Sequence, residues 1–134
     1  QTLVGGSFEN KKIAVLGLAF KSNTDDVRES PAITMIKTIL DNGGSVNAFD
    51  PIANKTMGKI FPTIDYFTTW ENACRDADAA AIMTEWNEFR GMDLLLLKSL
   101  LNSPTVLDTR NILNPKSLKE LNFNYDNVGR SIIE

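Results

Sequence analysis

Four short apolar runs, "KKIAVLGLA" (11–19), "SVNAFDP" (45–51), "DAAAIMT" (78–84) and "TVLDTRN" (105–111), recur along the chain with helix-length stretches between them. This alternation constrains the fold more than any other feature. A nearly continuous apolar run suits a strand covered on both faces, and a helix placed between two such strands makes a crossover whose strands lie parallel. The predicted architecture is an α/β domain of three layers, a mostly parallel sheet with helices on both faces. A length of 134 residues and a hydrophobic content of 43% fit one domain with one core.

Local signals place the first helix. Ser30 offers a hydroxyl to a free backbone N–H, Pro31 suits the first helical position, and Ile33, Ile36, Ile39 and Leu40 repeat at helical spacing until "DNGG" (41–44) ends the run. A weaker helical piece is expected near 54–59, and a short strand followed by a helix in "DYFTTWENACRDA" (65–77). Further helices are expected in "MDLLLLKSLL" (92–101) and near 115–121, with a last extended piece in "NFNYDNVG" (122–129). The opening "QTLVGGSFEN" (1–10) lacks an initiator methionine and carries Gly5, Gly6 and Ser7, so it reads as a linker from upstream domains, with the domain itself over 11–134.

Composition excludes several classes. The chain has 14 Lys and Arg against 17 Asp and Glu, a net charge of −3 without like-charge blocks, which gives no nucleic-acid footprint and no membrane-binding face. With no histidine and the single cysteine Cys74, neither an internal disulfide nor the usual Cys/His zinc site is expected. Cys74, with no histidine to activate it, reads as a packed, inert thiol. No apolar run approaches membrane-span length and the start lacks a signal-peptide pattern, so a soluble cytoplasmic chain is expected, with no metal.

In parallel α/β sheets ligands bind beyond the carboxyl ends of the strands. The residues there are Phe20 and Lys21, then Asp50, then Thr84 to Trp86, then Asp108, Thr109 and Arg110. A dinucleotide fingerprint needs three glycines after the first strand; only Gly17 is present, with Ala19 and Ser22 where the others would fall. That argues against dinucleotide binding by this domain alone. Lys21 and Arg110 end segments on one rim, and either share an anion or are solvated cations. "TDDVRES" (24–30) reads, on its residues alone, as a salt-bridge cluster that orders a loop. Asp50 reads as a turn-forming acid before Pro51 rather than a ribose ligand, and Trp70 and Trp86 as core or interface anchors. A receiver-type signalling domain shares the outline, but its acidic pair would follow the first strand directly and a lysine would follow the last core strand, and neither is so here.

"GLAFKSNTDDVRESPA" (17–32), with "AFDP" (48–51), "TEWNEFR" (84–90), "LDTRNIL" (107–113) and "NVGR" (127–130), resembles the UDP-glucose/GDP-mannose dehydrogenase family, and within it the C-terminal UDP-binding domain of the UDP-glucose branch. The resemblance implies a Rossmann-like fold. It also implies an enzyme that oxidises the C6 alcohol of a nucleotide sugar to a carboxylate by two hydride transfers to NAD, through a cysteine in the N-terminal and central domains, so that no catalytic residue lies in this stretch. Phe20, Lys21 and Arg110 then match substrate-binding positions. Arg28 matches the residue that reaches NAD held mainly by the N-terminal domain, with Asp25, Asp26 and Glu29 holding it in place. The implied partners are a UDP-sugar, the N-terminal and central domains of the same protein, and further copies in a homodimer or higher oligomer. The same domain of a UDP-N-acetylhexosamine or GDP-mannose enzyme, or a non-catalytic nucleotide- or protein-binding module, is the alternative.

Overall fold

The computed structural model describes residues 8–19, 24, 26–28 and 30–127. Its strands are β1 (Lys12–Leu16), β2 (Ser45–Phe49), β3 (Asp65–Tyr66), β4 (Ala79–Ile82), β5 (Thr105–Asp108) and β6 (Asn124–Asn127). Between them run α1 (Pro31–Asp41), α2 (Asn54–Gly58), α3 (Trp70–Cys74), α4 (Asn87–Arg90), α5 (Leu94–Leu100) and α6 (Pro115–Glu120). Among the described residues the strands form one sheet in the order β3-β2-β1-β4-β5-β6, every pair parallel. The expected mostly parallel sheet is thus wholly parallel, and the order reverses between β1 and β4, the switch point at which such sheets open a crevice.

Alternation along the strands builds two cores. Ile13, Val15, Val46 and Ala48 face α1 and α2, where Ile36, Ile39 and Met57 are fully buried. Ala14, Leu16 and Ile82 face the other side, against Trp70 of α3, Phe89 of α4 and Leu97 of α5. The edge-on packing of Phe49 against Phe89, ring centres 6.0 Å apart, ties α4 to the end of β2. Helices on both faces follow from crossovers that leave the sheet in opposite directions from β1, the three-layer arrangement expected.

The first crossover has the punctuation that its sequence carries. Ser30 Oγ accepts from Ala32 N at 3.1 Å, Pro31 opens the helix, and Gly43 takes a φ of +84° just past its end. Phe8 is buried with this layer, and Lys11 N–H donates to its carbonyl. The four-residue helix α4 was not anticipated; a single turn holds too few residues to display a helical period. No helix among the described residues is long and apolar enough to cross a membrane.

Candidate functional site

The mouth at the switch point is built from backbone and small side chains. Gly17 leaves β1 with a φ of +95° and donates its N–H to Phe49 O at 2.8 Å. A Cβ there would lie 2.5 Å from Cβ and Oγ1 of Thr84, so only glycine lets β1 and β4 approach this closely. The Thr84 hydroxyl, wholly buried, then donates to Ala19 O at 2.9 Å and fills the space between the two strand ends.

Asp50, 2% exposed at the end of β2, collects the donors around this mouth. Its Oδ2 accepts from Leu18 N at 2.8 Å, Ala19 N at 3.3 Å and the Trp86 indole Nε1 at 3.2 Å. Its Oδ1 accepts from Ile52 N at 2.8 Å and Ala53 N at 2.9 Å. The second set is the turn expected before Pro51. The first set is long-range, and sequence reasoning missed it; a lone acid ending an apolar strand, with no cation nearby in sequence, was the available signal that backbone donors must satisfy it. Desolvation, then the charges of Glu71 and Asp50, push the Glu88 carboxyl above its ordinary pKa, so the surroundings of this mouth are negative.

Two strands across the sheet, β5 presents a basic group. Asp108, 1% exposed, accepts from Arg110 N at 3.1 Å and Leu113 N at 2.8 Å, which folds the chain sharply after the strand. Thr109 anchors the same turn by donating its hydroxyl to Ile82 O at 2.7 Å. The Arg110 guanidinium, partly buried, meets Glu85 through Nη2 at 3.2 Å, the Glu85 carboxylate being more exposed than its partner. Arg110 therefore stands at the carboxyl rim with its backbone fixed and its head group held from one side.

Phe20 and Lys21 lie outside the described residues, as do Asp25 and Glu29. The segment that carries Phe20 and Lys21 leaves from the Ala19 just described, and β4 intervenes between β1 and β5. Arg28 is the more exposed of the two described binding candidates, with 87% of its side chain in solvent against 28% for Arg110. Asp26 grips it with Oδ1 on Nε at 3.0 Å and Oδ2 on Nη2 at 2.9 Å, and also accepts from Arg28 N at 3.0 Å. That fork lowers the Asp26 carboxyl from 3.8 to about 2 and raises the Arg28 guanidinium.

Three further candidates belong to the core. Trp70 and Trp86 pack in the cluster beneath α3 and α4, Trp86 with its indole N–H on Asp50. Cys74 is fully buried there, and desolvation, with Glu71 adding to it, pushes its thiol up to about 12, which leaves it protonated and unreactive.

A family model described as the UDP binding domain of the UDP-glucose/GDP-mannose dehydrogenase family matches residues 14–115. UDP-glucose 6-dehydrogenase of Rhizobium meliloti (strain 1021) is 41% identical over 126 residues, which cover 94% of this chain and 29% of that protein. Among solved structures, a UDP-glucose dehydrogenase from Pyrobaculum islandicum superposes with a TM-score of 0.75 at 27% identity, over 92% of this chain and 28% of its own. An NDP-N-acetyl-D-galactosaminuronic acid dehydrogenase from Methanosarcina mazei Go1 gives 0.81 at 26%, over 95% and 26%. The chain spans less than a third of the length of the curated relatives it matches, 29% of the Rhizobium meliloti protein. With the match running from within β1 to the start of α6, through Arg28, Asp50, Glu85 and Arg110, the chain belongs to the UDP-glucose/GDP-mannose dehydrogenase family, in its UDP-binding domain.

Proposed function

We propose that this chain is the nucleotide-sugar-binding part of an NAD-dependent UDP-glucose 6-dehydrogenase of the cytoplasm, the enzyme that turns UDP-glucose into UDP-glucuronate. The observation that carries the reading is Arg110: a partly buried guanidinium at the carboxyl rim, its backbone fixed by Asp108 and its head group steadied by Glu85. Such a group suits a diphosphate or sugar hydroxyls at little cost in ordering. Phe20 and Lys21, on the segment that leaves the pinned Ala19, complete the contact from the β1 side.

The switch point does not fit NAD. The amides of Leu18 and Ala19, which would face a pyrophosphate, are taken by Asp50, and Thr84 fills the crevice. No step of the oxidation is therefore assigned to a cofactor held by this sheet; when bound by upstream domains, NAD accepts the hydrides. Arg28, gripped only two residues away and otherwise facing solvent, is free to reach a cofactor held by such a domain. Residues 1–10 lead in from those domains, with Phe8 as their anchor on this one, and the whole protein assembles as a homodimer or higher oligomer.

Titration of the chain with UDP, UDP-glucose, UDP-N-acetylglucosamine and GDP-mannose tests the reading. UDP compounds are expected to bind weakly and to move the Arg110 side-chain resonances, and the Arg110→Ala variant to lose most of that affinity while keeping its fold. In the whole enzyme the same change is expected to cost about 2–5 kcal/mol of substrate binding, as for a desolvated charge contact. Undiminished UDP-glucose binding by Arg110→Ala counts against the assignment, as does NADH production by this chain alone.

A further inference from the structure

We infer that Asp50 is a specificity-determining residue: its carboxylate is a built-in anion seated on the backbone amides that a ligand phosphate occupies in sheets of this order. The mouth beside β1 is thereby closed to pyrophosphate, and the chain leaving β1 is held on one course. Gly17, at a φ of +95°, turns the consecutive amides of Leu18 and Ala19 toward one point, the geometry in which successive N–H groups cradle an anion. That point is occupied by Asp50 Oδ2, at 2.8 and 3.3 Å. The Trp86 indole donates to the same oxygen, and Ile52 and Ala53 hold the other, so five donors from three separate segments converge on one side chain. At 2% exposure the carboxylate leaves no path for a second anion, and the neighbouring Glu71 and Glu88 add repulsion.

The exclusion of pyrophosphate stands on this geometry alone.

Two measurements on the 134-residue chain test the inference. In the wild type, millimolar inorganic pyrophosphate or NAD is expected to leave the Leu18 and Ala19 amide signals and the Trp86 indole signal unmoved. In Asp50→Ala, which empties the anion position but keeps the donors, formate is expected to raise the thermal midpoint by several degrees over chloride at equal ionic strength. The wild type and Asp50→Asn, whose positions are filled, are expected to give no such difference. Movement of those three signals by pyrophosphate in the wild type overturns the inference. So does an Asp50→Ala chain that formate leaves unchanged, including one that stays unfolded in both salts. If UDP fails to bind in the same wild-type titrations while these outcomes hold, the nucleotide-sugar reading falls and the built-in anion remains.

Discussion

Asp50 and Asp26 each hold a loop with one carboxylate, and they do so in opposite ways. Asp50 is buried, and four of its five donors come from backbone amides on either side of the sheet's mouth, with the fifth from the Trp86 indole. Asp26 lies in an exposed loop, with 41% of its side chain in solvent, and accepts three bonds from Arg28, two residues away. The first carboxylate joins three segments, so it cannot be removed without stranding donors where water does not reach. The second joins a loop to itself in water, so its loss is replaced by hydration. What separates a structural acid from an adjustable one here is the sequence distance and burial of the partners, and the number of bonds matters less.

The same substitution at both places exposes the difference. Asp50→Asn keeps the shape but turns one acceptor into an NH2 that must face N–H donors whichever way the amide points. A loss on the order of 3 kcal/mol in unfolding free energy is expected, from denaturant melts at neutral pH. A smaller effect is expected of Trp86→Phe, which removes one donor from Oδ2 and leaves both backbone amides in place. About 1–2 kcal/mol is expected, most of it from the lost hydrogen bond to a charged acceptor. If Trp86→Phe proves as costly as Asp50→Asn, the indole packs the mouth more than it satisfies the acid, and the weight shifts from hydrogen bonding to packing.

The contrast also explains which parts of the molecule could be read from the sequence. The Ser30 cap, the Pro31 start and the Gly43 end of α1 involve partners within a few residues, and the strand and helix pattern repeats often enough for its period to show. The turn half of Asp50 was legible for the same reason, since Ile52 and Ala53 follow it directly. Its other half was not: Leu18, Ala19 and Trp86 lie 31 to 36 positions away and meet it only because β2, β1 and β4 are adjacent in the sheet. Arg110 could be placed on the rim, but its pairing with Glu85, 25 positions earlier, depends on β4 and β5 being neighbours. Family likeness supplied the role expected of Arg28, for which an exposed fork with Asp26 offers no sign of its own.

The smallest effect belongs to Asp26, and its pH dependence gives the sign. The folded carboxyl is depressed from 3.8 to about 2, first by the side-chain bond from Arg28 and then by the backbone bond from the same residue. Stability from the pair is thus present above about 3.8 and fades as the pH falls through about 2, a window far below neutrality. Because both side chains are open to solvent, Asp26→Asn is expected to leave the thermal midpoint at pH 7 unchanged, with salt erasing what little difference low ionic strength reveals. The titration itself is the sharper measurement: the Asp26 carboxyl carbon is expected to turn over near 2 in the wild type and to return toward 3.8 in Arg28→Ala. An ordinary midpoint in the wild type means that the fork does not persist in solution, so that Arg28 is unheld there. A midpoint near 2, with an unmoved thermal transition in Asp26→Asn, means that the fork forms yet costs little to open, which is what an arginine that changes partners on cofactor binding requires.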